Sequence, residues 1–446
     1  MVLLCAISYL LITIAAAATA VMRQRDPYKA LLWVLAIISL PVIGLLLYLL
    51  TGLRRRCGAP ATHRRNGSAV QTIIRSCCGE PVTAYNRLTQ LHNADNAYSA
   101  LISEIQRARR SIHLEYYIFN DDRLGRTLIN LLCRKSRAGV EVRIIYDAVG
   151  SWRLGRRSIS RMRRAGIGIR CFGPLRFPWF RSGVARRNHR KIAVIDGTTA
   201  FAGGINIAKR YIDGNRLGKW RDEHLQLEGD IVGRLQRLFA ADWQKVGGEA
   251  GDVLQHMPGH RIRSRLPVQI AWNDDGSACA TLHDAFTAAI MRADRSIRIS
   301  TPYFIPPRTL ADAIRMAAES GVMVEIMVPE RGDSAVTAAA SDSFVREMHE
   351  AGATIHRYTG GFLHSKLLIV DDSLATVGAA NMDYRSLEDN LEVTAFIYDR
   401  RSVSLMAERF EADKESCRTI PAGMKDDAGP LRLATERLAR LLSPLL

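Results

Sequence analysis

The chain has 446 residues, of which 48% are hydrophobic and 24% are charged. This length excludes a single small domain, and this composition excludes wholesale disorder. The formal net charge of +18 predicts an anionic partner, and charge alone does not choose among a lipid head group, a membrane surface and a nucleic acid. Eight cysteines occur without a CxxC pair or a histidine-rich metal spacing, which favours free thiols in a reducing compartment.

The N-terminus carries two stretches without charged side chains, residues 1–22 and 30–53. Each exceeds the roughly 20 apolar residues that a helix needs to cross a bilayer. A cleaved signal peptide is the alternative for the first stretch, but the basic region expected at its start is missing and a second full-length stretch follows. The pattern therefore predicts a transmembrane hairpin over residues 1–53.

Basic residues around the two stretches bear on their orientation. Five arginines follow the second stretch: Arg54, Arg55, Arg56, Arg64 and Arg65. The loop between the stretches offers only Arg23, Arg25 and Lys29. Counting both groups predicts that the termini, and everything after the hairpin, face the cytoplasm, whereas the first stretch alone favours the opposite orientation.

A basic segment rich in turn residues, 54–85, is predicted to link the hairpin to a duplicated region. The first copy, 86–250, contains RARRSIHLEYYIF from Arg107, and the second copy, 251–446, contains RADRSIRISTPYF from Arg292. In both copies helical patterns alternate with buried apolar strands. This alternation predicts α/β layers with a mixed, largely parallel sheet in each half.

The same polar residues recur at the same spacing in both halves. The first set is His189, Lys191, Asp196, Gly203 and Asn206, and the second is His364, Lys366, Asp371, Gly378 and Asn381. The asparagine follows the histidine by 17 residues in both halves. A single HxK is a weak signal, but two complete copies in register inside a repeat make chance coincidence a poor explanation.

This constellation suits a phosphodiester. HxK places histidine and lysine on one face of a strand, because side chains alternate with period two. Lysines and asparagines, Asn206 and Asn381 among them, would hold phosphate oxygens by charge-assisted hydrogen bonds. One histidine could attack phosphorus while the other protonates the leaving alkoxide, and this chemistry requires no metal or other cofactor. Asp196 and Asp371 end their strands, so we interpret them as structural partners of nearby cations.

A reactive histidine needs an acid that fixes its tautomer. In the second half Glu392 is the natural candidate, and in the first half it is Asp222, with Glu223 as a competitor. A surface carboxylate at a strand edge is the alternative for either acid.

Two further segments suggest contacts with lipid. Residues 173–187 mix aromatic rings and arginines directly before His189, which fits either an interfacial loop or an ordinary loop with its rings packed inward. The leucine spacing of residues 431–442 predicts an amphipathic helix, packed on the domain rather than lying on the membrane.

The doubled HxKxxxxD with GxxN resembles the phospholipase D superfamily. The N-terminal hairpin, the phrases RNHRKIAVID, FAGGINIA and TPYFIP, and the ending RLLSPLL resemble bacterial cardiolipin synthases. The resemblance spans essentially the whole chain. It implies two phospholipase D-like α/β/α sandwich domains in tandem, which share one active site.

The resemblance also implies a reaction and a location. Two phosphatidylglycerols would condense to cardiolipin and glycerol through a phosphohistidine, with His189 as nucleophile and His364 as general acid and base. The implied partners are phosphatidylglycerol and anionic membrane lipids rather than nucleic acid, and the implied location is a bacterial inner membrane, spanned more than once. Gly204 and Ala379 depart from the hydroxyl residue common in such motifs, which puts acceptor preference in doubt.

Three other readings share these residues. A membrane phospholipase D, or a phosphatidyltransferase with a different acceptor alcohol, would use the same chemistry until the acceptor arrives. A nuclease would also suit the motif and the basic charge, but the two apolar stretches count against it. A catalytically dead membrane scaffold is disfavoured because both motif copies are intact.

Overall fold

A computed structural model of the chain describes residues 2–23, 27–40, 42–48, 67–174, 186–254, 262–274, 279–424 and 429–446. The helices in chain order are α1 (Val2–Arg23), α2 (Pro27–Ser39), α3 (Ile43–Leu47), α4 (Ala69–Cys78), α5 (Asn93–Arg107), α6 (Arg123–Arg137), α7 (Arg156–Arg164), α8 (Arg210–Asp213), α9 (Asp230–Lys245), α10 (Ala250–Leu254), α11 (Thr281–Ile290), α12 (Arg308–Glu319), α13 (Ala335–Glu350), α14 (Arg400–Lys414) and α15 (Pro430–Leu441).

The strands in chain order are β1 (Thr83–His92), β2 (Ser111–Tyr116), β3 (Glu141–Asp147), β4 (Gly168–Phe172), β5 (Lys191–Ile195), β6 (Thr199–Gly203), β7 (Trp220–Arg221), β8 (Glu223–Gly229), β9 (Arg265–Asn273), β10 (Ser296–Ser300), β11 (Phe304–Ile305), β12 (Met323–Pro329), β13 (Thr354–Tyr358), β14 (Phe362–Leu363), β15 (Leu367–Val370), β16 (Leu374–Gly378), β17 (Met382–Asp383), β18 (Glu392–Ile397) and β19 (Cys417–Ile420).

Equivalent strands of the two halves lie in the same spatial order. The first half reads β1-β8-β6-β5-β2-β3-β4 and the second reads β9-β18-β16-β15-β10-β12-β13, with β19 added at its edge. The halves join where β1 pairs antiparallel with β9, Thr83 standing opposite Val268. The prediction of two tandem α/β units is confirmed.

The prediction that each sheet is largely parallel is wrong. In the main sheet, parallel pairing is limited to β2-β3-β4 and to β10-β12-β13, and the remaining neighbours are antiparallel. The cause lies after each motif. The chain turns back within three residues of the end of β5, from Asp196 to Thr198, and so short a connection permits only antiparallel pairing.

Alternating side chains of β5 divide two cores. Ile192 and Val194 lie in a core that draws on strands of both halves together with α9 and α14. Ala193 and Ile195 lie in a second core under the helices of the first half. Strand β15 does the same with residues Leu367, Leu368, Ile369 and Val370. The halves therefore share buried apolar surface as well as a strand pair.

The predicted linker, 54–85, contains a helix that packs on the second half. Helix α4 begins with a capping box between Ser68 and Gln71, which satisfies free backbone N–H groups at the helix start. Val70 and Ile74 are buried in the core of the second half. An amphipathic helix of ten residues was hidden in the sequence by the turn residues and arginines around it.

The second apolar stretch contains two helices. Helix α2 ends at Ser39 and α3 begins at Ile43, and the proline at position 41 explains why one helix does not continue. Val42 donates its backbone N–H to the Tyr9 hydroxyl of α1 at 3.1 Å, which ties the two apolar stretches together. Within the described ranges, no helix is both long enough and apolar enough to cross a membrane. The transmembrane hairpin remains a prediction.

The predicted C-terminal helix forms and packs on α13, as expected. Arg346 of α13 donates to the nearly buried Glu436 of α15 at 2.9 Å, and Ala439 joins the core. The other face of α15 leaves Leu431, Leu438 and Leu441 exposed.

Candidate active site

Two short segments cross between the halves and carry the motif histidines. In one, Leu391 donates to the Arg187 carbonyl at 3.0 Å and His189 donates to the Leu391 carbonyl at 2.9 Å. In the other, β14 runs parallel to β7, and His364 donates to the Arg221 carbonyl at 2.7 Å. Each motif histidine therefore lies beside an acid of the opposite half. His189 lies beside Glu392, and His364 lies beside Asp222.

His189 contacts Glu392. Its Nδ1 lies 2.8 Å from Oε1 of Glu392, and the Tyr117 ring meets the imidazole edge-on at 5.0 Å between centroids. Burial alone would raise the pKa of Glu392, but the charges of His189 and Lys191 outweigh it and hold that pKa below its usual value. An ionised carboxylate only accepts, so Nδ1 carries the proton and Nε2 keeps a free lone pair.

His364 contacts Asp222 in the same way. Its Nδ1 lies 2.6 Å from Oδ2 of Asp222, and the rings of Trp220 and Tyr211 pack against the imidazole at 4.9 and 5.6 Å between centroids. Burial raises the pKa of Asp222 to about 6, which leaves it mostly ionised at neutral pH. Lys366 Nζ lies 2.8 Å from the same Nδ1. Because Asp222 can only accept when ionised, the proton on Nδ1 belongs to the bond with Asp222.

Both histidines are held neutral. Burial lowers the pKa of His189, with Glu392 opposing the shift. Burial and then the charges of Lys366 and Lys191 bring the pKa of His364 well below its ordinary value. A bound anion between the lysines would offset their charge, so we expect the pKa of His364 to rise when a phosphodiester binds.

The two lysines are buried cations beside their histidines. Lys191 Nζ donates to the His189 carbonyl at 2.5 Å, and Lys366 Nζ donates to the His364 carbonyl. Burial lowers the pKa of Lys191 to about 7 and that of Lys366 to about 8. An ammonium has three N–H groups, so each lysine retains donors for phosphate oxygens.

The two asparagines are buried and partly engaged. Asn206 donates from Nδ2 to the Tyr211 hydroxyl at 2.6 Å and accepts from the Ile118 backbone at 3.0 Å. Asn381 hydrogen-bonds to Asp383 and keeps a buried Oδ1 without a partner. Phosphate binding by Asn206 would use its second Nδ2 hydrogen, and this role remains a prediction for both residues.

The motif aspartates bond to the backbone rather than to the cationic side chains we expected. Asp196 accepts from the backbone N–H groups of Arg109, Arg110 and Ser111 at 2.7–2.9 Å. Asp371 does the same at the start of β10, where it accepts from the backbone N–H groups of Asp294, Arg295 and Ser296. Five residues of strand separate Asp196 from Lys191, which places the aspartate roughly 16 Å from the lysine. Both aspartates thus close the turn at the far end of the motif strand.

Of the two acids in the first half, Asp222 reaches a motif histidine and Glu223 does not. Glu223 bonds to Gln90 at 3.0 Å and contacts Arg221 and His92. Gly204 makes room for Asp222, since a Cβ on this glycine would lie 2.2 Å from Oδ1 of that carboxylate. The missing hydroxyl in the first motif therefore has a steric reason.

Sequence reasoning missed the ion pairs beneath the site. Asp147, at the end of β3, accepts from the Arg187 guanidinium at 2.8 Å and from the Asn188 backbone at 3.1 Å. Arg190 lies fully buried against Asp242 and donates to the Asn273 carbonyl at 2.7 Å. A polar residue ending a buried apolar strand was the available signal for Asp147.

The predicted interfacial loop, residues 173–187, ends in a buried ion pair. Arg187, from the predicted interfacial loop, is buried in the Asp147 pair, and residues 175–185 of that loop lie outside the described ranges. Within the part of the chain that the structure describes, His, Cys, Asp and Glu form no group of three or more that could hold a metal ion.

Comparisons with known proteins identify the family of the chain. Residues 101–243 and 286–414 match the family model "Cardiolipin synthase, PLD-like domain", and residues 11–52 match "Phospholipase_D-nuclease N-terminal". The probable cardiolipin synthase YwiE of Bacillus subtilis is 34% identical and aligns with 100% of this chain and 93% of its own. A cardiolipin synthase of Geobacillus kaustophilus is 35% identical over 95% of this chain and 90% of its own.

A solved structure shows the same fold at lower identity. The phosphatidylserine synthase of Haemophilus influenzae superposes with a TM-score of 0.63 at 14% identity, over 84% of this chain and 100% of that protein. A family model that covers most of both halves, together with full-length relatives above 30% identity, shows that the chain belongs to the cardiolipin synthases built from phospholipase D-like domains.

Proposed function

We propose that this protein is a cardiolipin synthase that transfers a phosphatidyl group from one phosphatidylglycerol to another and releases glycerol. The observation that carries the proposal is the crossed pair of histidine–carboxylate contacts, His189 with Glu392 and His364 with Asp222, flanked by two buried lysines. This arrangement supplies one nucleophile, one proton carrier and two phosphate ligands.

In the first step Nε2 of His189 attacks phosphorus. The P–N bond forms, the P–O bond to glycerol breaks, and protonated His364 gives its Nε2 proton to the departing oxygen. Lys191 and Lys366 stabilise the charge on the non-bridging oxygens. His364 is neutral in the free protein, so it takes up its proton when the substrate anion offsets the lysine charges.

In the second step the hydroxyl of another phosphatidylglycerol attacks the phosphohistidine. The new P–O bond forms, the P–N bond breaks, and the hydroxyl proton passes to Nε2 of His364. Water or another alcohol at this step would give phosphatidic acid or another phosphatidyl ester. The alternative function, a phospholipase D or a phosphatidyltransferase with a different acceptor, thus differs only in what enters here.

The proposal includes attachment to a bacterial inner membrane through residues 1–53, with the catalytic halves on the cytoplasmic face. The support is the match of residues 11–52 to an N-terminal family model and the apolar side chains that α1 exposes, such as Leu10, Leu11 and Ile14. The basic charge of the chain fits an anionic lipid surface.

The loop that follows β3 supports a second lipid contact beside the site. Trp152 is 73% exposed, and the guanidinium carbon of Arg153 lies over its ring, 4.9 Å from the ring centre. Ser151 fixes this loop by donating to the Tyr117 carbonyl at 2.9 Å, and Tyr117 contacts His189. An exposed tryptophan with an arginine suits the boundary between head groups and acyl chains.

Product analysis tests the function. Purified protein in mixed micelles receives phosphatidylglycerol labelled in its phosphate, and we expect labelled cardiolipin together with free glycerol in equal amount. Phosphatidic acid as the main product would favour the phospholipase D alternative, and no product would contradict both. Acid-labile label on the protein should appear in the wild type, disappear in His189→Ala and form only slowly, without turnover, in His364→Ala. Label that survives in His189→Ala but not in His364→Ala would reverse the two roles.

A further inference from the structure

Arg210 is a cation beside His364 that belongs to neither motif. It opens α8, four residues after Asn206. Its guanidinium carbon lies 4.9 Å from the centre of the Trp220 ring and 5.9 Å from that of Tyr211, and both rings contact His364. Arg210 therefore lies on the side of the site where His364 would handle the alcohol.

Arg210 hydrogen-bonds to the Tyr211 side chain and retains further binding capacity. Its Nε is buried and has no hydrogen-bond partner, and among the described residues no carboxylate forms a salt bridge with it. A buried N–H without an acceptor costs free energy. An anion that accepts a hydrogen bond from Nε would offset this cost. Stacking on two aromatic faces holds the guanidinium in place before any ligand arrives.

Its charge reaches both halves of the site. Arg210 contributes to lowering the pKa of His364, after burial and the charges of nearer groups, and it also acts to lower the pKa of Tyr117, which burial raises overall. Tyr117 packs on His189. Arg210 thus adds a positive charge beside His364 to the charges of the two motif lysines.

We infer that Arg210 binds the phosphate of the acceptor, a second phosphodiester anion distinct from the one that reacts. This inference rests on the proposed function. The lysines next to His189 and His364 serve the transferring phosphoryl group, whose leaving alcohol, glycerol, is uncharged. In the second step the hydroxyl lies at Nε2 of His364, and only a phosphatidylglycerol acceptor brings a further negative charge to that side. Water and glycerol bring none.

Such a subsite would select the acceptor. During the second step the acceptor oxygen bonds to phosphorus, the P–N bond to His189 breaks and the hydroxyl proton passes to His364. Arg210 touches none of these atoms and acts by holding the acceptor through its own phosphate. Losing it should favour neutral acceptors over phosphatidylglycerol.

Two reactions of the full-length enzyme in mixed micelles separate these acceptors. Exchange of labelled glycerol into phosphatidylglycerol measures transfer to a neutral alcohol, and cardiolipin formation measures transfer to a charged one. We expect Arg210→Gln to lower the ratio of cardiolipin formation to glycerol exchange by about 10- to 100-fold, with a raised KM for the acceptor. Arg210→Lys keeps the charge and should retain more of the ratio.

Lys209→Gln is the matched control, because it removes one exposed positive charge from the adjacent residue. Its ratio should equal that of the wild type. A ratio unchanged in Arg210→Gln would overturn the inference, since Arg210 would then act on the donor phosphate or on the fold. Equal ratios in Arg210→Gln and Arg210→Lys would overturn the role of its charge. A wild-type enzyme that exchanges glycerol without making cardiolipin would instead contradict the proposed function itself.

Discussion

Glu392 and His189 belong to different halves of the repeat, yet the carboxylate lies 2.8 Å from Nδ1 of the imidazole. Asp222 and His364 repeat the exchange in the opposite direction at 2.6 Å. Each motif histidine takes its acid from the opposite half. The duplicated sequence therefore forms one site, and that site exists only when the halves dock.

Replacing Glu392 or Asp222 with its amide should impair the function of the histidine that this acid contacts. Glu392→Gln and Asp222→Asn preserve shape but lose the charge that fixes the proton on Nδ1, so we expect turnover to fall by about 10²–10⁴-fold. Because Glu392 serves His189, Glu392→Gln should slow the formation of the covalent intermediate. Because Asp222 serves His364, which acts in both steps, Asp222→Asn should allow only slow labelling and should also slow the release of the label. Quenched-flow measurement of protein-bound label separates the two effects.

Glu228→Gln is the control for these amides, since its carboxylate lies on β8 and pairs with the exposed Arg87. It should behave as the wild type. Loss of labelling in Asp222→Asn together with normal labelling in Glu392→Gln would contradict the crossed assignment and pair each acid with its own half.

The dependence of kcat/KM on pH should be bell-shaped, because this ratio reports groups of the free enzyme. On the alkaline side Lys191, with a pKa of about 7, and Lys366, with a pKa of about 8, lose the protons that bind phosphate. The ratio should therefore fall above pH 7–8. On the acid side His189 becomes protonated and cannot attack, and Asp222, with a pKa of about 6, loses its charge. Initial rates at subsaturating lipid across pH 5–9 measure both limbs.

Lys191→Arg tests the origin of the alkaline limb. Arginine stays protonated throughout this range, so the limb should move to higher pH even where the maximal rate falls. An alkaline limb that does not move in Lys191→Arg or in Lys366→Arg would assign the limb to a different group.

The motif aspartates should matter for stability rather than for chemistry. Asp196→Asn weakens three backbone hydrogen bonds while keeping a residue type that tolerates the positive φ of 53° at this position. We expect the free energy of unfolding to fall by about 1–3 kcal/mol, seen as a lower thermal midpoint, with the specific activity of the folded fraction preserved. Asp372→Asn is the control, because Asp372 is the exposed neighbour of Asp371. This variant should leave the thermal midpoint unchanged. Lost activity at a normal midpoint would place Asp196 in the chemistry.

The sequence predicted the repeat and the motif residues because both are local patterns. HxK spacing and the buried strand after it depend on residues close in the chain. The crossed acids could not be assigned, because nothing local records that residues 187–189 run beside residues 390–392. The ion pair of Arg190 with Asp242 and the packing of α4 on the second half could not be predicted for the same reason. Both contacts join distant parts of the chain.

The sheet direction was mispredicted, and the break in the second apolar stretch arose, for a different reason. Alternating helices and strands predict parallel pairing, but the tight turn after Asp196 overrides that tendency locally. In residues 30–53 the uncharged composition predicts an apolar helix, and the helix is interrupted around the proline at position 41. In both places the deciding signal was a short turn element inside a longer regular pattern.

Trp152 should couple the enzyme to lipid surfaces without entering the chemistry. Its ring is 73% exposed in a loop fixed to Tyr117, so Trp152→Ala should lower activity on vesicles of phosphatidylglycerol by about tenfold through lost interfacial burial. Activity on short-chain, monomeric phosphatidylglycerol should change far less, because no surface needs to be bound. Met291→Ala is the matched control: Met291 is equally exposed at 73%, but it precedes the start of β10, which pairs with Val370 at the end of β15 away from His364. Lipids with brominated acyl chains should quench part of the tryptophan fluorescence of the wild type. This quenched part should be absent in Trp152→Phe. Equal losses on vesicles and monomers in Trp152→Ala would show that the loop supports the site and not the surface.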